Sequence, residues 1–353
     1  MNTKINKNSF SSLLFFITEP MFLHVGITEI LNSSKNGSIY SIVFGTIISL
    51  LIIYLIIKVF NYEKDLNIFQ KIEKKFKTGK LINLFLTIVT SLYFIYQLWC
   101  INTYIQNKYL DSTPSFIIIG LFLIPVIWTS ASSMKSISKI SISVFFVSMF
   151  VIIFSFSNLA SSIELDNFKP FFNTKIITII KDSIKYALYF STPVFMILVI
   201  PKNTIQDSKK INKNLLVYFL LSSFYLLLLF SFIIGIFGID LAKMFSYPEY
   251  SLMKKINYFD FIQHVENITT ISWFYTLFIS SSLSLFFIKE YLKHLKIYNL
   301  KRLLIIALIC FISSLCLFKN TTIGFNIIKD YYIFIYSIPI CLLLFSFIIK
   351  RNN

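Results

Sequence analysis

The first apolar run of the chain, LLFFITEPMFLHVGITEIL, contains residues that a plain membrane helix would avoid. Glu19 is ionisable, and an ionisable group in apolar surroundings is costly enough that a role is expected for it. Pro20 cannot donate a backbone hydrogen bond to the carbonyl of Phe16, and Gly26 weakens the helix further. The run therefore predicts a broken helix. Glu19 at the break either carries a coupling proton, binds a substrate amine, or stays neutral and fixes the break.

A second run, ALYFSTPVFMILVIP, carries the same kind of interruption. Pro193 frees the carbonyl of Tyr189, and two hydroxyl side chains stand beside the break. Freed backbone groups can hold the amino and carboxyl groups of a small zwitterion, although a kink patched by neighbouring helices is the simpler alternative. The predicted ligand-binding residues are Val25, Gly26, Ile27 and Thr28 at the first break and Phe190, Ser191, Thr192 and Pro193 at the second.

Polar side chains in two other apolar runs could complete such a pocket. Thr276, Ser280 and Ser284 recur at i, i+4 and i+8, so they share one helix face. Such a stripe usually permits close helix packing, but it can also contact an ion or a ligand. Tyr96, in the third run, could form a wall. We therefore add Tyr96, Thr276 and Ser280 to the predicted ligand site.

Other chemistries have no counterpart in the sequence. It contains no HExxH, no GxSxG and no phosphate-binding Walker loop, and only three histidines. The four cysteines lie in or beside apolar runs without CxxC spacing, which indicates buried apolar residues rather than disulfides or metal ligands. We expect no catalytic residue, no metal and no cofactor, so the chain is predicted not to be an enzyme.

The composition places these residues in a membrane. The chain is 56% hydrophobic and 14% charged, with a mean hydropathy of +0.74, far too apolar for a soluble domain of this length. Residues 1–353 are therefore predicted to form a single polytopic membrane domain in contact with lipid. The net charge of +17 fits lysines in cytoplasmic loops. No nucleic-acid partner is expected, because no basic segment stands apart from the apolar runs.

Ten apolar runs are long enough, or nearly so, to cross a bilayer. If the N-terminus is cytoplasmic, most lysines and arginines fall in cytoplasmic segments, which predicts that both termini lie there. The first run is too long for a signal peptide and is interpreted as the first span. The predicted spans are residues 10–31, 39–59, 81–105, 116–129, 140–159, 176–200, 215–237, 268–288, 303–318 and 331–349.

The two broken runs are the first and the sixth spans. They begin two five-span halves, about 9–160 and 176–350, which enter the membrane from opposite sides and are therefore inverted. Interrupted segments at corresponding positions of inverted repeats indicate a binding site near the bilayer midplane. The predicted fold class is an all-α membrane protein with ten transmembrane helices in a five-plus-five inverted repeat.

Two segments between spans are amphipathic. Residues 58–80 alternate charges with apolar residues, which predicts a helix on the anionic inner leaflet, with partner binding as the alternative. Residues 241–267 are predicted to form an outer helix, because Leu252, Ile256, Phe259 and Ile262 recur at helical spacing. An unstructured loop of this length would be uncommon. The residues expected to form a gate or to contact a partner subunit are Tyr247, Pro248, Glu266 and Trp273.

Three stretches carry a family resemblance: HVGITEIL, YFSTPVFMILVIPK, and the segment from Tyr247 to Trp273 with its FIQHVE run. They resemble the spore germination permeases, the B-subunit family of GerA-type nutrient germinant receptors, within the amino acid–polyamine–organocation superfamily. The resemblance implies a LeuT-like fold and a subunit that senses an amino acid or a similar nutrient. It also implies an A subunit and a lipoprotein C subunit as partners in the spore inner membrane.

Two departures from the family pattern keep alternatives open. Gly26 is followed by Ile27-Thr28-Glu29 where the family usually has a second glycine and a Leu-Pro end. Pro193 and apolar residues stand where the family usually has glycine and an acidic residue. The chain could instead be a proton-coupled amino acid transporter of the bacterial cell membrane, with Glu19 as coupling residue. It could also be a permease-like scaffold that has lost ligand binding.

Overall fold

The computed structural model describes residues 4–170, 174–256, 266–317 and 321–347, without the side chains of residues 266, 268, 269 and 321–323. Within these ranges the regular structure is helical, apart from one isolated bridge between Ile5 and Ile205. That bridge ties the start of the chain to a distant loop, with Ile5 N 2.9 Å from the carbonyl oxygen of Thr204. The all-helical prediction is confirmed.

Every apolar run that the sequence predicts as a span is helical, with ends that shift by a few residues. The first half contains α1 Lys7–Met21, α2 Ile27–Ser34, α3 Ser38–Asn61, α4 Ile68–Lys75, α5 Gly79–Lys108, α6 Ser115–Ala131 and α7 Met134–Leu159. The second contains α8 Ile176–Ser191, α9 Ile211–Ala242, α10 Pro248–Met253, α11 Glu266–His294, α12 Leu300–Leu317, α13 Thr321–Tyr332 and α14 Ile338–Ser346. Within α9, Gly238 has a φ of 65°, a kink that glycine adopts without strain.

The helices form a multi-pass integral membrane protein. In the part of the chain that the structure describes, seven helical stretches are long and apolar enough to cross a bilayer, and α6 is a shorter apolar helix. Large apolar side chains such as Trp128, Phe150 and Leu121 are 80%, 72% and 66% exposed, as expected for a surface that faces lipid. The stretches are Lys7–Asn61, Gly79–Lys108, Met134–Ser162, Ile211–Ala242, Thr270–His294, Leu300–Leu317 and Gly324–Ser346.

Helix α1 lies at the centre of the bundle. Its residues from Ser9 to Met21 are all buried, and it contacts α7, α9 and α11. Short polar side chains bridge these contacts: the Ser12 and Ser141 hydroxyl oxygens are 2.9 Å apart, and those of Thr18 and Ser222 are 2.7 Å apart. Small hydroxyl residues allow helices to approach closely in a membrane and supply hydrogen bonds across the contact.

Helices α3 and α8 approach each other closely at Gly45. A Cβ atom at this position would lie 2.6 Å from the Tyr186 ring and 2.8 Å from the backbone carbonyl oxygen of Ser183. Both distances are shorter than van der Waals contact, so only glycine fits here without moving a helix.

Buried lysines satisfy the ends of helices. The Lys289 ammonium on α11 donates to the carbonyl of Ser130, 2.7 Å away, and to that of Ser132, at the end of α6. The Lys71 ammonium on α4 donates to the carbonyl of Val59 near the end of α3, 2.9 Å away. A cation at a helix C-terminus also complements the helix dipole. Burial lowers the pKa of Lys71 to about 8, because the charged ammonium group is less favourable inside the protein than in water.

Helix α4 corrects the prediction for residues 58–80. Phe69 and Ile72 on its apolar face are buried, and the Phe69 ring lies 5.0 Å from that of Phe287 and 5.3 Å from that of Tyr291. The apolar face therefore packs on α11, and the prediction that it lies on the inner leaflet is wrong. An amphipathic pattern reports an apolar surface to be covered but does not say what covers it.

The predicted outer helix is only partly within the described residues. Helix α10 covers Pro248–Met253, and Leu252 and Ile256 are buried as the apolar stripe requires. Phe259 and Ile262 lie outside the described residues. Helix α10 packs against α9 and α11, so it is a part of the bundle rather than a separate module.

Replacing Lys289 by methionine leaves the carbonyls of Ser130 and Ser132 without this donor. Unsatisfied buried polar groups cost about 1–3 kcal/mol, so Lys289→Met should lower the free energy of unfolding by that amount in a detergent unfolding assay. Lys293→Met is the matched control, because Lys293 lies one turn away and pairs with Glu290 at the surface. The control should cost only about 0–1 kcal/mol. Equal losses would contradict the capping role.

Glycine-to-alanine changes separate close packing from helix propensity. Gly45→Ala should destabilise the protein by about 1–3 kcal/mol, because the new methyl group forces α3 and α8 apart. At Gly120, in α6, an added Cβ meets nothing within 4 Å. Gly120→Ala should therefore stabilise the protein by about 0.5–1 kcal/mol. Thermal unfolding of both variants in one detergent measures the difference, and a shift of the same sign in both would contradict the packing argument.

Candidate functional site

The first break is a wide helical turn rather than an unwound segment. Pro20 lies inside α1, and residues Phe22–Gly26 form a π-helical turn in which Ile27 N donates to the carbonyl of Phe22. A Cβ atom on Gly26 would lie 2.4 Å from the Phe22 ring, so glycine lets this ring cover the turn. Short π-helical turns inside α-helices often occur at functional sites. The predicted interruption is present, and the hydrogen bond from Ile27 N to Phe22 closes its turn.

The second break is a 3-10 helix that continues α8. It runs from Thr192 to Val199, which is long for a 3-10 helix, and Pro193 lies in its first turn. The Thr192 hydroxyl donates to the carbonyl of Leu188 at 2.6 Å and lies 3.2 Å from the Ser337 hydroxyl in a further π-helical turn. The Ser191 hydroxyl donates in the same way to the carbonyl of Ala187. Phe190 and these residues are buried, and both hydroxyls donate to carbonyl groups of their own helix.

Two adjoining cavities lie beside the first break. One, of about 390 Å³, is lined by Val25 and Thr28 and by the Glu29–Lys185 ion pair. The other, of about 320 Å³, is lined by His24 and Tyr247, among others. Phe325 and Asn326 of α13 line both cavities, so the two lie next to each other along this helix. We call the pair of cavities the vestibule. It is large enough for a small nutrient molecule.

His24 forms the centre of an aromatic cage in the vestibule. Its Nε2 atom lies 3.1 Å from the Thr103 hydroxyl, and its Nδ1 atom lies 3.4 Å from the Tyr96 hydroxyl. Aromatic rings bind apolar groups and cations on their faces. The rings around His24, by centroid distance, are Trp99 at 4.8 Å, Phe325 at 5.4 Å, Tyr96 and Tyr247 at 5.9 Å, and Trp273 at 6.5 Å.

An ion pair forms the wall of the larger cavity. The Lys185 ammonium contacts one oxygen of Glu29, and the Tyr189 hydroxyl donates to the other at 2.9 Å. The Glu29 side chain is 5% exposed and that of Lys185 is 33% exposed. Neither Glu29 nor Lys185 is among the site residues predicted from the sequence. The signal was present, since Glu29 follows the glycine of the first break.

Glu19 and Thr276, both predicted site residues, are brought together by the structure. The Thr276 hydroxyl donates to Glu19 Oε2 at 3.3 Å, and Glu19 is 2% exposed. The second oxygen, Oε1, has no hydrogen-bond partner among the described residues. Glu19 and Thr276 line a small cavity of about 30 Å³ rather than the vestibule.

The three hydroxyl residues of the α11 stripe, Thr276, Ser280 and Ser284, contact two different helices, α1 and α5. Thr276 faces α1, whereas Ser280 accepts a hydrogen bond of 2.6 Å from the Gln97 amide on α5. Ser284 returns a bond of 3.1 Å to the carbonyl oxygen of the same amide. The Ser280 contact is therefore a packing contact between α5 and α11, as the simpler interpretation of such a stripe predicts.

Three of the four predicted gate residues meet at α10. Tyr247 lines the vestibule, Pro248 begins α10, and Trp273 stacks on Tyr104 with ring centroids 4.2 Å apart. The Trp273 ring centroid also lies 6.5 Å from that of His24, and Trp273 lines the Glu19 cavity. The fourth, Glu266, is the first residue of α11, but its side chain is outside the described part.

The fold is similar to that of several solved membrane transporters. The chain is similar to a Na⁺-coupled sialic acid symporter in a substrate-bound outward-open state, with a TM-score of 0.64 and 10% identity over 90% of this chain and 75% of that one. It is also similar to a mutant manganese transporter of Eremococcus coleocola, with a TM-score of 0.59 and 12% identity over 96% and 74%. For a nucleobase-cation-symport-1 family transporter with bromovinylhydantoin bound, the values are 0.58 and 10% over 90% and 73%.

These similarities show the fold alone: a LeuT-type transporter fold. The family follows from the sequence, because residues 11–323 match the model of the spore germination protein family. The chain therefore belongs to the spore germination protein family, and the resemblance of its motifs to spore germination permeases is confirmed. No curated protein matches the chain. The family and fold relatives are permeases and transporters rather than enzymes.

A double-mutant cycle tests the ion pair of the vestibule. We expect Glu29→Gln and Lys185→Met each to lower the free energy of unfolding by about 1–2 kcal/mol, since each leaves a partner unpaired. Lys185 is one-third exposed, so solvent screening limits the loss. The double variant should lose about 0.5–1 kcal/mol less than the sum of the single losses. Additive losses in detergent unfolding would show that the two side chains are not coupled.

Proposed function

We propose that this protein is a nutrient-sensing, permease-like subunit of a spore germinant receptor, and that it binds an amino acid or a similar small nutrient in the vestibule. Membership of the spore germination protein family supports the germination role. The observation that carries the ligand site is the position of His24. It lies in a π-helical turn of the first helix, at the base of a cavity, with aromatic rings around it.

The vestibule has groups for both ends of a zwitterion. Lys185 and Lys329 line the larger cavity and can attract a carboxylate. The aromatic faces of Trp99 and Tyr247 line the smaller one and can hold an ammonium group or an apolar side chain. Asn326 lies between these two regions and offers an amide as donor and acceptor. An amino acid placed along α13 would use both cavities at once.

This proposal moves the ligand from the breaks themselves to the space beside them. Val25 and Thr28, predicted from the first break, remain as lining residues, and Tyr96 remains as a partner of His24. Gly26 and Ile27 are proposed to shape the π-helical turn. The residues of the second break, Phe190, Ser191, Thr192 and Pro193, are proposed to position that helix, and Ser280 to hold α5 against α11.

The proposed topology has ten spans, both termini in the cytoplasm, and two inverted halves, about 9–160 and 176–350, in one domain. A straight helix of 55 residues would be about 80 Å long, which far exceeds a hydrocarbon core of about 30 Å. The stretch Lys7–Asn61 turns at Lys35–Gly37, where the Ser38 hydroxyl bonds back to the carbonyl of Ile30, so we propose two spans there. Helices α6 and α8 supply the other two. The vestibule then opens on the outer side.

The proposed partners are an A subunit and a lipoprotein C subunit in the spore inner membrane. Helix α10, with Tyr247 and Pro248, covers one side of the vestibule and is proposed as a gate or a subunit contact, together with Glu266 and Trp273. A proton-coupled amino acid transporter is the second candidate function. The observation that favours it is Glu19, a buried carboxyl group with one unpartnered oxygen.

Two polar residues of α13, one turn apart, test the ligand site. Asn326 lines the vestibule, whereas Asp330 is exposed and does not line either cavity. In spores that carry all receptor subunits, we expect Asn326→Leu to raise the amino acid concentration for half-maximal germination at least about tenfold, a loss of about 1.4 kcal/mol of binding. Asp330→Leu should leave it unchanged. Identical dose responses in both variants and the parent would contradict the vestibule as the site.

Uptake into vesicles distinguishes the two functions. A transporter should accumulate a labelled amino acid in proteoliposomes that contain this protein alone, and Glu19→Gln should abolish a proton-driven uptake. A receptor subunit should bind the nutrient without accumulating it.

A further inference from the structure

We propose that a groove between α6 and α12 binds one anionic phospholipid, with an acyl chain along the groove and the phosphate group at its basic end. The groove has a volume of about 390 Å³, and none of its lining residues carries a polar side chain. It shares no lining residue with the vestibule, so the site is independent of the proposed nutrient function. Its lining residues include Gly120, Ile124 and Ile127 on α6 and Leu304, Leu308 and Phe311 on α12.

The dimensions of the groove suit an acyl chain. On the α6 side, a Cβ atom at Gly120 would meet no other atom within 4 Å, so the missing side chain leaves open space. On the α12 side, the lining residues run from Leu304 to Phe311, a distance of about 10 Å along the helix. This length fits within one leaflet, since the whole hydrocarbon core is about 30 Å thick.

The end of α6 and the start of α12 lie on the same side of the bundle. The Lys289 ammonium, near the end of α11, donates to two carbonyls at the end of α6, those of Ser130 and Ser132. Helix α12 begins only six residues after α11 ends. Ile127 and Leu304 therefore mark the same end of the groove, which faces the cytoplasm in the proposed topology.

Basic side chains flank this end of the groove, and no nearby carboxylate in the sequence offsets them. Lys301 and Arg302 are exposed in the first turn of α12, and Lys139 is exposed in the second turn of α7. Residues 112–163 and 291–317 contain no aspartate or glutamate. Lysine and arginine bind phosphate oxygens, and basic pockets between transmembrane helices bind anionic lipid head groups.

The order of these features along the groove selects the occupant. Arg302 Nη1 donates to the carbonyl of Ile297 at 2.5 Å, and a guanidinium has further N–H groups with which to hold a phosphate at the same time. Trp128, one residue beyond Ile127, is 80% exposed, as is typical of tryptophan at the level of the head groups. A negative head above an apolar chain complements this surface, whereas a second copy of the protein would bring like charges together.

Quenching of tryptophan fluorescence by brominated lipids tests the site. Of the three tryptophans, Trp99 and Trp273 are only 1% and 5% exposed, so a quencher in the lipid acts mainly on Trp128. In vesicles that contain the full-length protein, brominated phosphatidylglycerol should bind beside Trp128 at least about threefold better than brominated phosphatidylcholine, because it carries a net negative charge. Trp128→Phe should remove this lipid-specific quenching.

Two double variants separate a local site from general attraction to the positive protein. Lys301→Gln combined with Arg302→Gln should bring the ratio of the two lipid affinities to about one, since both head groups are then held equally. Lys209→Gln combined with Lys210→Gln is the matched control. It removes the same charge from exposed residues just before α9, a helix that packs on α1 and α3, and should keep the ratio of the parent.

Filling the groove tests the acyl chain without a change of charge. Gly120→Leu should abolish the preference for phosphatidylglycerol, whereas Leu121→Phe, at an exposed position that does not line the groove, should retain it. This pair also decides the question should the Lys301 and Arg302 variant fail to accumulate. Equal quenching by both lipids in the parent, the result for an ordinary lipid annulus, overturns the proposal. So does an equal change in both charge variants, or quenching that appears only when added lipid separates two copies of the protein.

Discussion

The structure depends on one constraint: a backbone group released at a helix end or break must find its partner inside the protein, because the bilayer core offers no water. Lys289 and Lys71 meet this constraint at the ends of α6 and α3. The breaks meet it with local hydrogen bonds. At the first break, Ile27 N donates to the carbonyl of Phe22, and at the second the Thr192 hydroxyl donates to the carbonyl of Leu188. Each interruption is therefore a helical turn with hydrogen bonds of its own rather than an unwound segment.

The candidate binding groups of the vestibule are side chains. The side chains that line the vestibule at the first break are His24, in the π-helical turn, and Glu29, just after it. Each is held by a side chain from another helix, Thr103 for the imidazole and Lys185 for the carboxylate. The vestibule therefore depends on the relative positions of α2, α5, α8 and α13, so a shift of any one of them alters its shape.

The sequence was sufficient for the helices, because long apolar runs have few alternatives in a membrane. It was insufficient wherever residues distant in sequence converge. The aromatic cage of His24 draws on three other helices, α5, α11 and α13, and on Tyr247 just before α10. In a chain with 18% aromatic residues, no spacing in the sequence marks the rings that meet. The sequence did not predict that Glu249 lines the cavity of Glu19, because a charge in an amphipathic segment normally faces solvent. The apolar face of α4 was assigned to lipid because its pattern fits a protein surface equally well.

Helix α10 is six residues long, yet it contacts two compartments: Tyr247, just before it, lines the vestibule, and Glu249 lines the small cavity of Glu19. A rigid turn cannot move at one of these positions and stay still at the other. A ligand in the vestibule that shifts Tyr247 would therefore also shift Glu249 in the other cavity. The arrival of a nutrient would then be transmitted, by the movement of one short helix, to a buried pair of carboxyl groups that the nutrient itself never touches.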